Sequence, residues 1–139
     1  MNYKSLTTLE YDKIIDHLVS FAASDKAKER LKKLVPMTDI HDINAALSET
    51  SDALSRVYAK GAVSFSGVHD VGASVKRLEI GSSLNTVELL HISSLLTAAA
   101  RVKNYYEDTT DSLTGYFHAL EPLTPLNTEI KRCILSEDE

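Results

Sequence analysis

The chain has 139 residues, of which 43% are hydrophobic and 25% charged, with a formal net charge of −5. That size and balance suit one helical domain able to bury a core without metals, and they argue against disorder and against nucleic-acid binding over the whole surface. Cys133 is the only cysteine, so an intrachain disulfide is excluded, and no apolar run is long enough for an export signal or a membrane span, which places the expectation in the cytoplasm.

The first expected element opens at Thr7-Thr8-Leu9-Glu10, which reads as a capping box with Thr7 as N-cap and Glu10 at the third helical position. Tyr11, Ile14, Ile15, Leu18 and Ala22 follow at helical spacing as its buried face. Ser24 is the expected cap of a second helix over 25–34, whose apolar side is Ala27, Leu31 and Leu34, with Pro36 after its exit. A third helix is expected over 39–60, capped by Thr38, roughly 33 Å long at helical rise. Its stripe is Ile40, Ile43, Leu47, Leu54 and Val57, softened by Thr50 and Ser51, and Gly61 is the natural residue beyond its end.

Residues 62–67 read as a loop. Val68, Val71, Val75 and Leu78 predict a short fourth helix, or one that begins after Gly72, with Gly81 ending it. Asn85 and Glu88 form a second capping box. Behind it Leu89, Ile92, Leu96, Ala99, Val102 and Tyr106 line one side of a fifth helix over 86–108, and Leu90 and Leu95 widen the arc enough for a central position. A sixth helix is expected over 112–120, a turn between Pro122 and Pro125, and a last helix over 128–135. The fold class is all-α, a bundle of about five to seven helices. One helical domain is read over 1–135, and the acidic Ser136-Glu137-Asp138-Glu139 is read as a tail at a cut in a longer protein.

Groups able to carry chemistry do not converge. The five histidines, His17, His41, His69, His91 and His118, show no i,i+4 or other short ligand pattern. His69 and Asp70 are the best isolated acid–base pair, yet neighbours on a helix do not share a face. Glu107, Asp108 and Asp111 read as helix-ending residues before a cation site, Ser82-Ser83 and Ser93-Ser94 lack a base, and the glycines form no phosphate loop. No catalytic, cofactor-binding or metal-binding residue is assigned. The sharper signal is basic: residues 24–35 carry a net +3, and Lys26, Arg30 and Lys33 recur at i, i+4 and i+7, a face able to meet a nucleic-acid backbone without reading sequence. A solvated face is the blander alternative. Lys76-Arg77 and Lys131-Arg132 repeat the signal more weakly, and Tyr105-Tyr106 reads as half core and half surface before it reads as a base-stacking platform.

Beyond periodicity, the chain resembles the second bacterial MutS subfamily, the MutS-two family of mismatch-repair-related ATPase/endonucleases. The likeness starts at Leu6-Thr7-Thr8-Leu9-Glu10-Tyr11-Asp12-Lys13-Ile14-Ile15 and runs through Ala22-Ala23-Ser24 and Leu34-Val35-Pro36. It continues at Glu49-Thr50-Ser51-Asp52-Ala53-Leu54, Gly67-Val68-His69-Asp70-Val71, Val75-Lys76-Arg77-Leu78-Glu79-Ile80-Gly81 and Glu88-Leu89-Leu90, nearly the whole length. The resemblance implies a helical piece of the MutS core or lever region, ahead of the clamp helices and the ATPase domain. It implies a cytoplasmic homodimer that binds branched DNA or collided ribosomes, with ATP and Mg bound in an ATPase domain outside this stretch and, in many members, a C-terminal Smr nuclease domain. Partners are then the remaining domains of the same chain and DNA or the ribosome, with no membrane. The expected role here is a non-catalytic scaffold coupling ATPase state to the clamp. The alternatives are a nucleic-acid-binding module using Lys26, Arg30 and Lys33 and, third, a small helical enzyme.

Overall fold

The computed structural model describes residues 2–106 and 108–134, and among them it holds eight helices and no strand. The chain divides into two compact units, Met1–Leu47 and Ser48–Glu139. The tail at 136–139 lies outside the described residues.

In the first unit α1 (Tyr3–Thr8), α2 (Tyr11–Ser20) and α3 (Asp25–Lys32) follow one another, with α2 packed against both neighbours. The capping box at Thr7 and Glu10 does not form. Asn2 caps α1, its Oδ1 accepting from Ser5 N at 2.9 Å. Thr7 and Thr8 close the last turn by donating to the carbonyls of Tyr3 and Lys4, at 3.1 and 2.9 Å. Hydroxyls spent on the preceding turn are not available to cap the next helix. The break falls instead at Glu10, which takes the left-handed conformation (φ 55°) and separates α2, the expected first helix begun later, from α1, a short helix that the sequence reading does not anticipate. Ser24 caps α3 as expected, its Oγ accepting from Ala27 N at 3.3 Å, and Tyr11 Oη donates to Leu34 O at 3.0 Å, tying α2 to the exit of α3. Of the face expected to be buried, Ile15 is buried, Tyr11 and Ala22 are half-buried, and Ile14 and Leu18 face solvent.

The long helix α4 (Ile40–Lys60) contains the division between the units. Its cap is Asp39, one residue later than Thr38: Asp39 Oδ1 accepts from the amides of His41 and Asp42 at 2.8 and 3.2 Å. A carboxylate at this position also meets the positive end of the helix dipole. Gly61 ends the helix with its amide on Val57 O.

The expected apolar stripe of α4 is not a buried face. Leu54 is 51% exposed and Val57 44%, and Ile40 and Leu47 are exposed as well. The opposite side of the helix makes the attachments in the second unit, through polar groups. Tyr116 Oη donates to Glu49 Oε1 at 2.7 Å. Ser112 N and Oγ donate to Asp52 Oδ2 at 3.0 and 2.6 Å. Arg56 binds Asp111, and Lys60 pairs with Asp108.

The rest of the second unit is α5 (Gly72–Glu79), α6 (Thr86–Tyr106), α7 (Thr114–His118) and α8 (Thr124–Cys133), with α6 packed on both α7 and α8. The fourth expected helix begins after Val71, where Asp70 Oδ1 accepts from Gly72 N at 3.0 Å. It ends in a paired turn, Gly81 N on Leu78 O and Ser82 N on Arg77 O, that needs positive φ at the residue after the cap. Gly81 provides it at φ 82°. The capping box at α6 forms both ways, Asn85 N to Glu88 Oε2 and Glu88 N to Asn85 Oδ1, each at 2.9 Å.

Of the expected stripe of α6, Leu96, Val102 and Tyr106 are buried and Leu89, Ile92 and Ala99 half-buried; Ala98, which the stripe omits, is buried as well, and Ile130 joins them from α8. Helix α7 is shorter than the expected 112–120, because Asp111 and Ser112 are engaged with Arg56 and Asp52. Helix α8 starts earlier than expected. Pro125 lies in its first turn, where a fixed φ and a missing amide hydrogen are harmless, and the turn is made by Leu123 in the left-handed region (φ 45°).

Candidate functional site

Helix α3 builds the basic face. Ser24 caps it, Asp25 sits in its first turn, and Arg30 and Lys32 lie in its last turn, the arrangement that opposes the helix dipole at both ends. Lys33 is the C-cap residue and keeps right-handed helical dihedrals, so the register of Lys26, Arg30 and Lys33 is preserved. All three are exposed, while Ala27 and Leu31 are half-buried on the other side. Lys28 leans toward Asp25 at 3.9 Å and lies off this face. In each weaker basic pair the arginine is spent on a neighbouring acid: Arg77 binds Glu88 and donates to Ser83 O, and Arg132 pairs with Glu129.

The acids between α6 and α7 are engaged with cations. Glu107 lies outside the described residues. Asp108 pairs with Lys60, whose ammonium holds its carboxyl below the usual aspartate range. Asp111 Oδ2 accepts from Arg56 Nε at 2.6 Å. That hydrogen bond is the main reason its carboxyl is depressed and the guanidinium raised, with burial opposing both. Arg56 also donates from Nη2 to Thr109 O at 2.9 Å and stands over the Tyr106 ring, 4.0 Å from its centroid. Its Nη1 is buried without a hydrogen-bond partner among the described residues, and the adjacent ring face offsets part of that penalty. Burial pushes the Tyr106 phenol up, with Arg56 opposing. Phe117 stacks on Tyr106, while Tyr105 is half-buried with its hydroxyl on Gly61 O at 2.5 Å, so the tyrosine pair divides between core and surface.

Besides the pairings of Arg56 with Asp111 and Lys60 with Asp108, sequence reasoning missed two more. His69 stacks on His91, centroids 4.2 Å apart and nearly parallel, and Asp70 is turned to the start of α5. Ser93, buried on α6, donates to Asn127 Oδ1 of α8 at 2.6 Å. A serine on an otherwise apolar helix side was the available signal for the second; nothing local marks the first. Among the described residues no group of three or more His, Cys, Asp or Glu could hold a metal ion, and no helix is long and apolar enough to cross a membrane. Cys133 is exposed, its thiol 3.7 Å from Glu129 Oε1.

No family model matches the chain. Curated relatives match it end to end. It is 56% identical over 139 residues to Endonuclease MutS2 of Lachnospira eligens, covering 100% of this chain and 18% of that protein. It is 50% identical over 149 residues to Endonuclease MutS2 of Lachnoclostridium phytofermentans, covering 100% of this chain and 19% of the relative. It is 51% identical over 144 residues to Endonuclease MutS2 of Agathobacter rectalis, with 100% and 18% covered. The chain thus spans about a fifth of the length of the relatives it matches. Identity at this level across its whole length makes the chain a segment of the MutS2 family.

Proposed function

We propose that this chain is a non-catalytic helical scaffold within a longer MutS2-type ATPase/endonuclease, carrying changes of ATPase state toward a clamp on DNA or the ribosome. The observation that supports it most is the two-sidedness of α4. One side is fastened by Glu49, Asp52, Arg56 and Lys60, and the opposite side offers Leu54 and Val57 to whatever packs there. A helix keyed on one side and apolar on the other transmits a rigid displacement between two packed bodies. ATP and magnesium are assigned to an ATPase domain outside this chain, since its glycines are dispersed among helix ends and turns and form no phosphate loop. The full-length protein is read as a cytoplasmic homodimer. The test is Leu54→Glu with Val57→Glu in the full-length protein, following DNA binding with and without nucleotide. Loss of the nucleotide dependence is expected, and unchanged dependence rejects the scaffold role.

A second reading has its own observation. Lys26, Arg30 and Lys33 are all exposed along one side of α3, as a backbone-tracking face requires. Changing the three to alanine should reduce the salt slope of DNA binding by about 3, one for each phosphate no longer neutralised. An unaltered slope removes this role.

A further inference from the structure

A polar cleft of about 310 Å³ lies in the second unit, its lining including Ser66, Gly67, Ser93, Thr97, Arg101 and Lys131. We propose that it is a phosphate-binding site, distinct from the α3 face and independent of it.

Three segments build the cleft. Helix α6 presents Ser93, Thr97 and Arg101 at i, i+4 and i+8, α8 presents Lys131, and the loop before α5 presents Ser66 and Gly67. Among the described residues neither the lining nor the direct hydrogen bonds of its two cations include a carboxylate, in a chain of net charge −5. The two cations are bonded, among the described residues, to neutral oxygens. Arg101 donates from Nε to Ser64 O at 3.0 Å and from Nη2 to Ser66 O at 2.5 Å, and Lys131 Nζ donates to Thr97 Oγ1 at 3.0 Å. These bonds fix both heads in place while leaving each with N–H groups to offer. Thr97 is itself held, donating to Ser93 O at 2.9 Å and accepting from Asn127 Nδ2 at 3.0 Å.

Gly67 turns the loop at the floor, in a conformation that L side chains rarely adopt. Its φ is +84°, and a Cβ there would lie 3.4 Å from Ser94 O. Two positive charges beside Ser66 and Ser94 match a tetrahedral group with several acceptor oxygens, the chemistry of a phosphate mono- or diester, while the Thr97 and Ser93 hydroxyl protons are committed to Ser93 O and Asn127 Oδ1 and serve to position Lys131 and α8. Such a group could come from a nucleic-acid backbone or from a free phosphate ester.

The test is an amide NMR titration of the 139-residue chain with inorganic phosphate, and separately with a short oligodeoxythymidylate, each against sodium chloride at matched ionic strength. Saturable shifts are expected at Ser66, Gly67, Ser94 and the Arg101 side-chain Nε–H. Lys131 is exposed and makes a single bond, so Lys131→Gln should leave the remaining spectrum in place and weaken binding about tenfold, the effect of removing one charge-assisted hydrogen bond. Tighter saturation by the oligonucleotide supports a backbone phosphate as the natural ligand; saturation by phosphate alone supports a free ester. Shifts no larger than those with chloride, shifts confined to Lys26, Arg30 and Lys33, or affinity unchanged in Lys131→Gln would each overturn the site. The same titration on a chain with Lys26, Arg30 and Lys33 changed to glutamine keeps its outcome separate from that of the α3 face.

Discussion

Arg56 Nε lies 2.6 Å from Asp111 Oδ2, with the arginine side chain 4% exposed and the aspartate 12%. A buried pair is weak evidence for net stability, but removing one member leaves an uncompensated charge. Arg56→Ala should therefore lower the unfolding free energy by about 3 kcal/mol, and Asp111→Asn by about 2 kcal/mol. The double change Arg56→Met with Asp111→Leu should recover most of that loss, because neither charge remains to be desolvated. Urea unfolding of the four proteins decides the matter; a double variant no more stable than Arg56→Ala would show that the pair also holds geometry that packing cannot replace.

Acid should loosen the second unit. Asp111 is depressed by its bond from Arg56, and Glu88 is depressed first by the Asn85 amide and further by Arg77. Both carboxyls bind protons less readily folded than unfolded. Their stabilisation is complete above the unfolded-state values of about 4 and is lost as pH falls through the lower folded values. Arg56, raised from an already high value, adds nothing in this range. Urea midpoints measured from neutral pH downward should fall in acid, and by less in Asp111→Asn. A variant with the same acid dependence as the parent would rule out the pair as a source.

At the start of α6 the two-way capping box satisfies amides that the helix leaves open. Asn85→Ala should destabilise by about 1 kcal/mol, and Asn85→Asp by much less, since a carboxylate keeps the acceptor. Hydrogen exchange at the Glu88 amide gives a local readout and should accelerate in the alanine variant alone.

Two glycines should answer alanine in opposite directions. Gly81 has φ +82°, so Gly81→Ala is expected to cost about 1 kcal/mol although nothing stands within 4 Å of the new Cβ. Gly115 lies inside α7 with right-handed dihedrals and open space, so Gly115→Ala should stabilise by about 0.5–1 kcal/mol. Thermal melts of the two variants check this, and a gain at Gly81 would contradict the assigned turn.

The helices are legible wherever a local signal has no competitor. Asn85 with Glu88, Ser24, Gly61 and Gly81 each act within a few residues, and each appears where the pattern puts it. Thr7 fails as a cap because its hydroxyl has a nearer carbonyl on Tyr3, a choice that depends on where the preceding helix begins. Pro125 misleads because proline suits a first helical turn as readily as a loop. The stripe of α4 is real as a pattern and absent as a buried face: periodicity says which residues share a side, not which side finds a partner. The basic register on α3 is plain from spacing, whereas the cleft around Arg101 and Lys131 draws on segments far apart in the chain and has no local signature.

The fastening of α4 sets how that helix can move. An oily seam is forgiving, because side chains can slide past one another at little cost until water enters. A row of directional bonds at Glu49, Asp52, Arg56 and Lys60 is not. Advancing the register by one residue rotates the helix by about 100° and carries all four away from their acceptors and donors together. The 48–60 part of α4 is therefore held within the second unit like a key in its wards, and resists slip.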